Sequence, residues 1–126
     1  SSAVRLHHEP SGVSVTSSES RSQHENRLHA LKALRMKIAL SFRLPPDPQF
    51  RIGEPATSLH NPGYPLWAAK LLDRFQFQEG DLKSAAASLE ISPSRLARLL
   101  RRDPVLWTEA NRIRAAFSLP PLKSME

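Results

Sequence analysis

Near its start the chain alternates between apolar and polar side chains, with the period of two that marks a half-buried strand. Val4 and Leu6 form one such run, and Val13 and Val15 form the next. Between the two runs, residues 9–12 have the sequence Glu-Pro-Ser-Gly, which favours a tight turn. The pattern therefore predicts a β-hairpin.

A helical pattern follows a serine-rich connector. Ser20 can cap the helix, with Gln23 completing a capping box, so we expect the helix to begin near Arg21. One side should pack and the other should be basic, because basic residues are interspersed among the apolar ones. The apolar residues at roughly helical spacing are Leu28, Leu31, Leu34, Met36 and Ile38.

The second half of the chain is divided by proline. Prolines at positions 45, 46, 48, 55 and 62 cannot sustain a helix or a central strand, so residues 44–63 are predicted to be an extended linker. Further on, Ser92-Pro93 and Asp103-Pro104 each place a capping side chain before a proline at the first helical position. With Pro65 and Gly80-Asp81 as further start signals, four short helices are predicted at residues 65–77, 82–89, 93–102 and 104–117.

Together these elements predict an α+β fold, with a hairpin and a long helix in residues 1–43, the linker, and a small all-α module in residues 64–126. The predicted core of the helical module consists of Trp67, Leu71, Leu89, Leu96, Leu100, Trp107 and Ile113.

Composition narrows the function classes. Eighteen basic against 12 acidic residues give a formal net charge of +6, which suits a polyanionic partner. The sequence has no cysteine, which excludes disulfides, thiolate zinc sites and thiol nucleophiles. No apolar run approaches the roughly 20 residues of a membrane helix, so we expect no membrane partner.

The helical module has a second pattern, which resembles a helix-turn-helix. Its would-be recognition helix has four basic residues and no acidic one, although Glu90 occupies the turn position where such units usually have glycine. A plain packing unit explains the same apolar positions, and a helix dipole attracts cations to a C-terminus without any ligand. The possible nucleic-acid-binding residues are Arg95, Arg98, Arg101 and Arg102.

The first 40 or so residues resemble the catalytic domain of class I peptide chain release factors. The resemblance rests on the order and spacing of SAVRLHHEPSGVSV at residues 2–15 and of RSQHENR at residues 21–27, followed by Ala30, Leu34 and Arg35. In that family a Gly-Gly-Gln loop assists water in cleaving the ester of peptidyl-tRNA. The family has this loop a few residues before the Ser-Ala-Val strand, so we expect it upstream of Ser1. The sequence contains no Gly-Gly-Gln, and we assign no catalytic residue to it.

What the resemblance implies is a partial release-factor domain that binds the large ribosomal subunit, its rRNA and peptidyl-tRNA. Cations and amide donors hold a phosphate backbone, and one helix and its entry supply both. We expect no cofactor and no metal, because neither His7 and His8 on a strand nor His24 and His29 on a helix have the spacing of shared ligands. The predicted rRNA-binding residues are Arg21, Gln23, Asn26, Arg27, Lys32 and Arg35.

Three functions remain open at this point. The first is a cytoplasmic, monomeric translation factor that acts in termination or ribosome rescue, with or without hydrolytic activity in this form. The second is a DNA-binding regulator that uses the helix-turn-helix-like module. The third is an interaction module whose arginines are merely solvated. Salt-dependent binding to rRNA supports the first, tight binding to a defined DNA duplex the second, and weak nonspecific affinity the third.

Overall fold

The computed structural model describes residues 2–53 and 57–123, and the chain divides into two compact units, residues 1–42 and 43–126. The first unit is an antiparallel hairpin with one helix, and the second is built from helices, so the fold is α+β as predicted. Over the described residues the elements are β1 (Val4–His8), β2 (Val13–Ser17), α1 (Gln23–Ser41), α2 (Tyr64–Phe77), α3 (Leu82–Ser88), α4 (Pro93–Arg101) and α5 (Pro104–Ala116).

The predicted hairpin is confirmed in position, and the structure adds its register. Leu6 pairs with Val15, and His8 pairs with Val13 across the turn. Gly12 closes that turn with a φ of 74°, and its N–H donates to the carbonyl of His8 at 2.8 Å. The alternation predicted from the sequence leaves one face of the hairpin half-buried, and both strands contact α1.

The start of α1 corrects the prediction. The helix begins at Gln23, and its N-cap is Ser22, whose hydroxyl accepts a hydrogen bond from the N–H of Glu25 at 3.2 Å. The capping box predicted at Ser20 is therefore wrong. The Ser20 hydroxyl instead accepts from the Ser22 N–H at 3.0 Å and donates to the Glu25 carboxylate at 2.7 Å.

The second unit packs α2–α5 around an apolar core. Of the predicted core residues, Trp67, Leu71, Leu89, Leu96, Leu100 and Ile113 are buried. Trp107 is only half-buried. Its neighbour Leu106 has no exposed surface and, with Ala110 and Ile113, forms the inner side of α5 at spacings of four and three residues.

The proline-rich segment has no helix or strand over residues 44–50, and α2 holds it in place. Buried Arg74 donates to the carbonyls of Asp47 at 2.7 Å and Phe50 at 3.3 Å, and to that of Ser88 at 2.9 Å. Burial lowers the pKa of the Arg74 guanidinium. Lys70 adds an ion pair to Asp47 at 2.9 Å. Residues expected to form a linker thus lie on the surface of the helical unit.

A second buried charge fixes the start of the same segment. Asp73 accepts a hydrogen bond from the N–H of Leu44 at 3.0 Å and pairs with Arg43 at 3.4 Å. Burial raises the pKa of the Asp73 carboxyl, and the Leu44 N–H and Arg43 only partly oppose that effect. Asp73 and Arg74 are adjacent on α2. Both side chains therefore anchor the segment that precedes this helix.

The turn between α3 and α4 contains the residue that the sequence marked as unusual. Glu90 has a φ of 61°, in the left-handed region that glycine tolerates most cheaply. Its carboxylate pairs with Arg51 at 2.7 Å on the surface.

We expect Glu90→Gly to raise the free energy of unfolding of the helical unit by about 0.5–1 kcal/mol, because relief of the left-handed strain outweighs the loss of an exposed ion pair. Glu90→Gln is the control, since it removes the charge but keeps the Cβ atom, and it should change stability by less than about 0.5 kcal/mol. Urea denaturation of the three proteins measures both effects. A Glu90→Gly protein less stable than Glu90→Gln would show that strain at this turn is not the dominant cost.

Candidate nucleic-acid interface

Helix α1 lies with one side against the hairpin. Asn26, Ala30 and Leu34 are buried and follow one another at intervals of four residues, so they form a single inner side. Leu28, which the sequence pattern placed among the packing residues, is instead 53% exposed. One side of the helix packs against the hairpin, as predicted, but it is not the predicted side. With Asn26 inside and Leu28 outside, the apolar and polar side chains are not separated as the amphipathic pattern predicted.

The structure places Asn26 inside the first unit, which corrects its prediction as an rRNA-binding residue. Its side chain has no exposed surface, and its Oδ1 accepts from the N–H of Ser20 at 3.0 Å. Its Nδ2 donates to the carbonyls of Ser2 at 2.9 Å and Ser20 at 2.8 Å. Asn26 therefore ties the chain before β1 and the entry of α1 to the helix, and it positions the surface without being part of it.

This role could have been recognised in the sequence. Asn26 occurs four and eight residues before Ala30 and Leu34, so it occupies a position on the apolar side of a predicted helix. A polar residue there must have its hydrogen bonds satisfied within the protein. The resemblance to release factors favoured the binding interpretation because Asn26 stands next to Arg27.

The other predicted residues of the first unit lie on the outside. We call them the α1 basic face: Arg21, Gln23, Arg27, Lys32 and Arg35, all of which are exposed. Their side chains form no hydrogen bond or ion pair with any residue in the described part of the chain. At a rise of about 1.5 Å per residue, Arg27 and Arg35 lie roughly 12 Å apart along the helix. These cations have no protein counter-ion there to displace before they meet a ligand.

Charges around this face leave it positive. Residues 1–42 contain six Lys or Arg and three Glu, a net charge of +3. Glu25, in the first turn of α1, holds the hydroxyl of Ser20. Lys37 donates to the carbonyl of Ser14 at 3.3 Å, so it is engaged with the hairpin and does not belong to the face. The arrangement suits a polyanion, since fixed cations and one amide are presented on a rigid helix.

The predicted residues of the second unit are divided by the structure. Arg95 and Arg98 are exposed on α4, whereas Arg101 is half-buried. Arg102 is also exposed, but its guanidinium is engaged by other residues of the second unit, which the sequence did not indicate. Its guanidinium lies 5.6 Å from the ring centroid of Trp67, and it donates to the carbonyl of Thr57. We therefore leave Arg102 out of the candidate surface.

Next to Arg102, Tyr64 and Asp103 form a buried hydrogen bond. The Tyr64 hydroxyl donates to the Asp103 carboxylate at 2.6 Å, and the Tyr64 and Trp67 rings stack with their centroids 5.5 Å apart. Burial, together with this hydrogen bond, raises the pKa of Tyr64 above its usual range. Asp103 also accepts from the N–H of Val105 at 3.0 Å, which confirms its predicted role as a helix cap.

The histidines of the hairpin take part in local hydrogen bonds. His7 Nδ1 lies 2.6 Å from the Ser14 hydroxyl, and His8 Nδ1 lies 2.7 Å from that of Ser11. Over residues 2–53 and 57–123, no three His, Cys, Asp or Glu side chains form a group that could hold a metal ion. In the same part of the chain, no helix has both the length and the apolar character to cross a membrane.

Comparison with known proteins relates the first unit to one protein family. The family model described as the RF-1 domain matches residues 1–48. Searches of curated proteins and of solved structures found no match. Residues 1–48 are therefore similar to an RF-1 domain, and the first unit, with its α1 basic face, is release-factor-like.

Proposed function

We propose that this release-factor-like protein binds the RNA of the large ribosomal subunit through the α1 basic face. In its complete form it promotes hydrolysis of the ester of peptidyl-tRNA, in translation termination or in the rescue of stalled ribosomes. It acts in the cytoplasm as a monomer. The observation that carries the proposal is that the segment matching the RF-1 domain also exposes four cations, Arg21, Arg27, Lys32 and Arg35, that form no ion pair with any described residue.

Phosphate chemistry explains why these side chains suit the task. Guanidinium groups offer paired N–H donors that match phosphate oxygens, and Arg21, Arg27 and Arg35 present three of them along the helix and its entry. The Gln23 amide adds a donor at the N-terminus of α1, where free backbone N–H groups also favour an anion. The hydrogen bonds of Asn26 hold this end of the helix in place, which reduces the entropy lost on binding.

The proposal for the residues in this sequence concerns binding. Among them is no Gly-Gly-Gln, so hydrolysis is assigned to no side chain described above. The match to the RF-1 domain supports a ribosomal partner for the first unit. The DNA-binding alternative has no support from the comparisons, and we do not propose it.

We expect the double variant Arg21→Ala/Arg27→Ala to bind large ribosomal subunits more weakly, with a flatter dependence of the logarithm of affinity on the logarithm of salt concentration. Each lost phosphate contact should reduce the slope by about one unit, so the pair should reduce it by about two. Co-sedimentation of the full chain with purified subunits at several salt concentrations measures the slope.

The chain offers a matched control for the lost charge. Lys70 and Arg112 are already paired with Asp47 and Glu109, at 2.9 and 2.5 Å. Lys70→Ala/Arg112→Ala also removes two positive charges, but from the second unit. It should leave the slope nearly unchanged. Equal slopes for the wild-type protein and Arg21→Ala/Arg27→Ala would exclude the α1 basic face as the RNA contact.

A further inference from the structure

Helix α4 of the second unit presents a row of arginines that the proposed function does not use. Arg95, Arg98 and Arg101 follow one another at intervals of three residues, so they lie along one side of the helix and span about 9 Å of its length. Leu96 and Leu100 on the opposite side have no exposed surface. We call these three arginines the α4 arginine row.

Nearby acids do not neutralise the two exposed members of this row. Helix α4 contains no Asp or Glu. Glu90, in the turn before the helix, is paired with Arg51, and Asp103, after the helix, is buried and holds the Tyr64 hydroxyl. Arg95 and Arg98 form no side-chain hydrogen bond or ion pair within residues 2–53 and 57–123.

A groove of about 620 Å³ runs beside α4. On the helix side it is lined by Pro93, Ser94 and Ala97, and on the other side it includes Lys83 and Lys123. Asp81 also borders it, but its carboxylate is engaged in capping α3, where it accepts from the Ser84 N–H at 3.0 Å. The rest of the groove is largely apolar, with Leu82, Pro120, Pro121 and Leu122, so the positive charge here comes from Lys83, Lys123 and the neighbouring arginines. Cations placed along such a surface can follow a nucleic-acid backbone.

We propose that the α4 arginine row and the adjoining groove form a second contact with RNA, directed at the backbone of a double-helical segment and indifferent to its sequence. This proposal rests on the proposed function for the choice of RNA as the polyanion. The α4 arginine row and the α4 side of the groove offer cations and one hydroxyl, that of Ser94, but no Asn or Gln side chain. Duplex RNA is recognised mainly by its shape and through phosphates and 2′-hydroxyls, for which such a surface is suited.

Two contacts on one chain bind more tightly than either does alone. The first unit ends at residue 42 and the second begins at residue 43, so the RNA contact of one unit raises the effective concentration of the other near the same RNA. Two surfaces of modest charge can in this way hold a large RNA without a deep binding cleft.

The test measures binding of the full chain to a fluorescent RNA duplex of about 16 base pairs, by anisotropy over a range of salt concentrations. Arg95→Ala/Arg98→Ala should reduce the salt slope by about two units, with the same result for two unrelated RNA sequences. Lys70→Ala/Arg112→Ala, the variant matched in charge, should keep the wild-type slope. An unchanged slope in Arg95→Ala/Arg98→Ala, while thermal melting stays the same, would overturn the proposal.

Two comparisons separate this proposal from the proposed function. On large ribosomal subunits, the variant Arg21→Ala/Arg27→Ala tests only the α1 basic face, and Arg95→Ala/Arg98→Ala tests only the α4 arginine row. A combined variant should show the sum of the two losses in the logarithm of affinity. If Arg95→Ala/Arg98→Ala weakened binding to a DNA duplex of the same sequence more than binding to the RNA, the choice of RNA would be overturned while the α1 basic face stayed untouched.

Discussion

Replacing Arg74 with methionine should lower the free energy of unfolding of the helical unit by about 3 kcal/mol. Methionine keeps much of the side-chain volume but leaves the carbonyls of Asp47, Phe50 and Ser88 without the donors that they have in the native protein. A buried polar group left without a partner costs about 1–3 kcal/mol. These three carbonyls belong to half-buried residues, so each should cost about 1 kcal/mol, and the largest costs should fall on Asp47 and Ser88, whose bonds are the shortest. The proline-rich segment should loosen from α2 in the same variant.

Urea denaturation followed by tryptophan fluorescence measures this loss, since Trp67 and Trp107 both lie in the helical unit. Arg112→Met is the matched control, because the Arg112 side chain is mostly exposed and, among the described residues, pairs with the Glu109 carboxylate alone. It should lose clearly less stability than Arg74→Met. Arg74→Lys should lose an intermediate amount, since an ammonium group cannot reproduce the forked geometry of the guanidinium. Equal losses for Arg74→Met and Arg112→Met would show that Arg74 does not anchor the segment.

Asn26→Asp should destabilise the first unit by about 3 kcal/mol at neutral pH. The substitution conserves shape, but it replaces the Nδ2 donor, which reaches the carbonyls of Ser2 and Ser20, with an acceptor. A buried carboxylate facing two carbonyl oxygens has a high desolvation cost. The hydroxyl nearest that position, Ser2 Oγ at 3.4 Å from Nδ2, already donates to the Ser20 carbonyl at 2.8 Å.

The loss of stability in Asn26→Asp should be smaller at low pH than at neutral pH. Burial and the two carbonyls would raise the pKa of the carboxyl introduced at position 26 in the folded protein above the usual value of about 3.9 for aspartate. The folded state then binds the proton more tightly than the unfolded state does. Part of the lost stability should therefore return at low pH, and it should disappear as pH rises through the folded-state pKa.

Hydrogen exchange of the α1 amides in the full chain, measured at several pH values, follows the first unit separately. Gln23→Glu is the matched control, because it makes the same amide-to-carboxylate change on the exposed side of α1. Near the helix N-terminus that change should be neutral or slightly stabilising. Equal protection in Asn26→Asp and wild-type protein would contradict the positioning role of Asn26. In contrast to Asn26→Asp, Arg21→Ala/Arg27→Ala should lose ribosome binding with its helix protection intact.

Predictions that depend on local chemistry agree with the structure to within a residue or two. Serine or aspartate followed by proline starts α4 and α5 at Pro93 and Pro104, where both were predicted. The hairpin follows from alternation and a Glu-Pro-Ser-Gly turn, since strand period and turn type depend on neighbouring residues. The left-handed conformation of Glu90 agrees with its place in the helix-turn-helix-like pattern, at the turn position where such units usually have glycine.

Predictions that depend on which side of an element is buried were less accurate. Asn26 and Arg27 are adjacent polar residues in one motif, yet the first is buried and the second exposed, because the hairpin covers only one side of α1. Trp107 and Leu106 differ in the same way on α5, where the smaller side chain fits the core. Ser20 lost its predicted capping role because Asn26 holds its backbone outside the helix.

By itself, the sequence determined the α+β class and the element boundaries to within about two residues, because spacing, capping residues and turn chemistry act over a few residues. The resemblance of the first unit to release factors rested separately on the motifs at residues 2–15 and 21–27. Only the tertiary structure decided which polar side chains remain available to a partner. Arg74 looks like a surface residue in the sequence, but in the fold it is buried and donates to the carbonyls of Asp47 and Ser88. Arg102 remains exposed, but its guanidinium lies against the Trp67 ring and donates to the Thr57 carbonyl. A side chain's availability is set by atoms far away along the chain, and no local pattern records them.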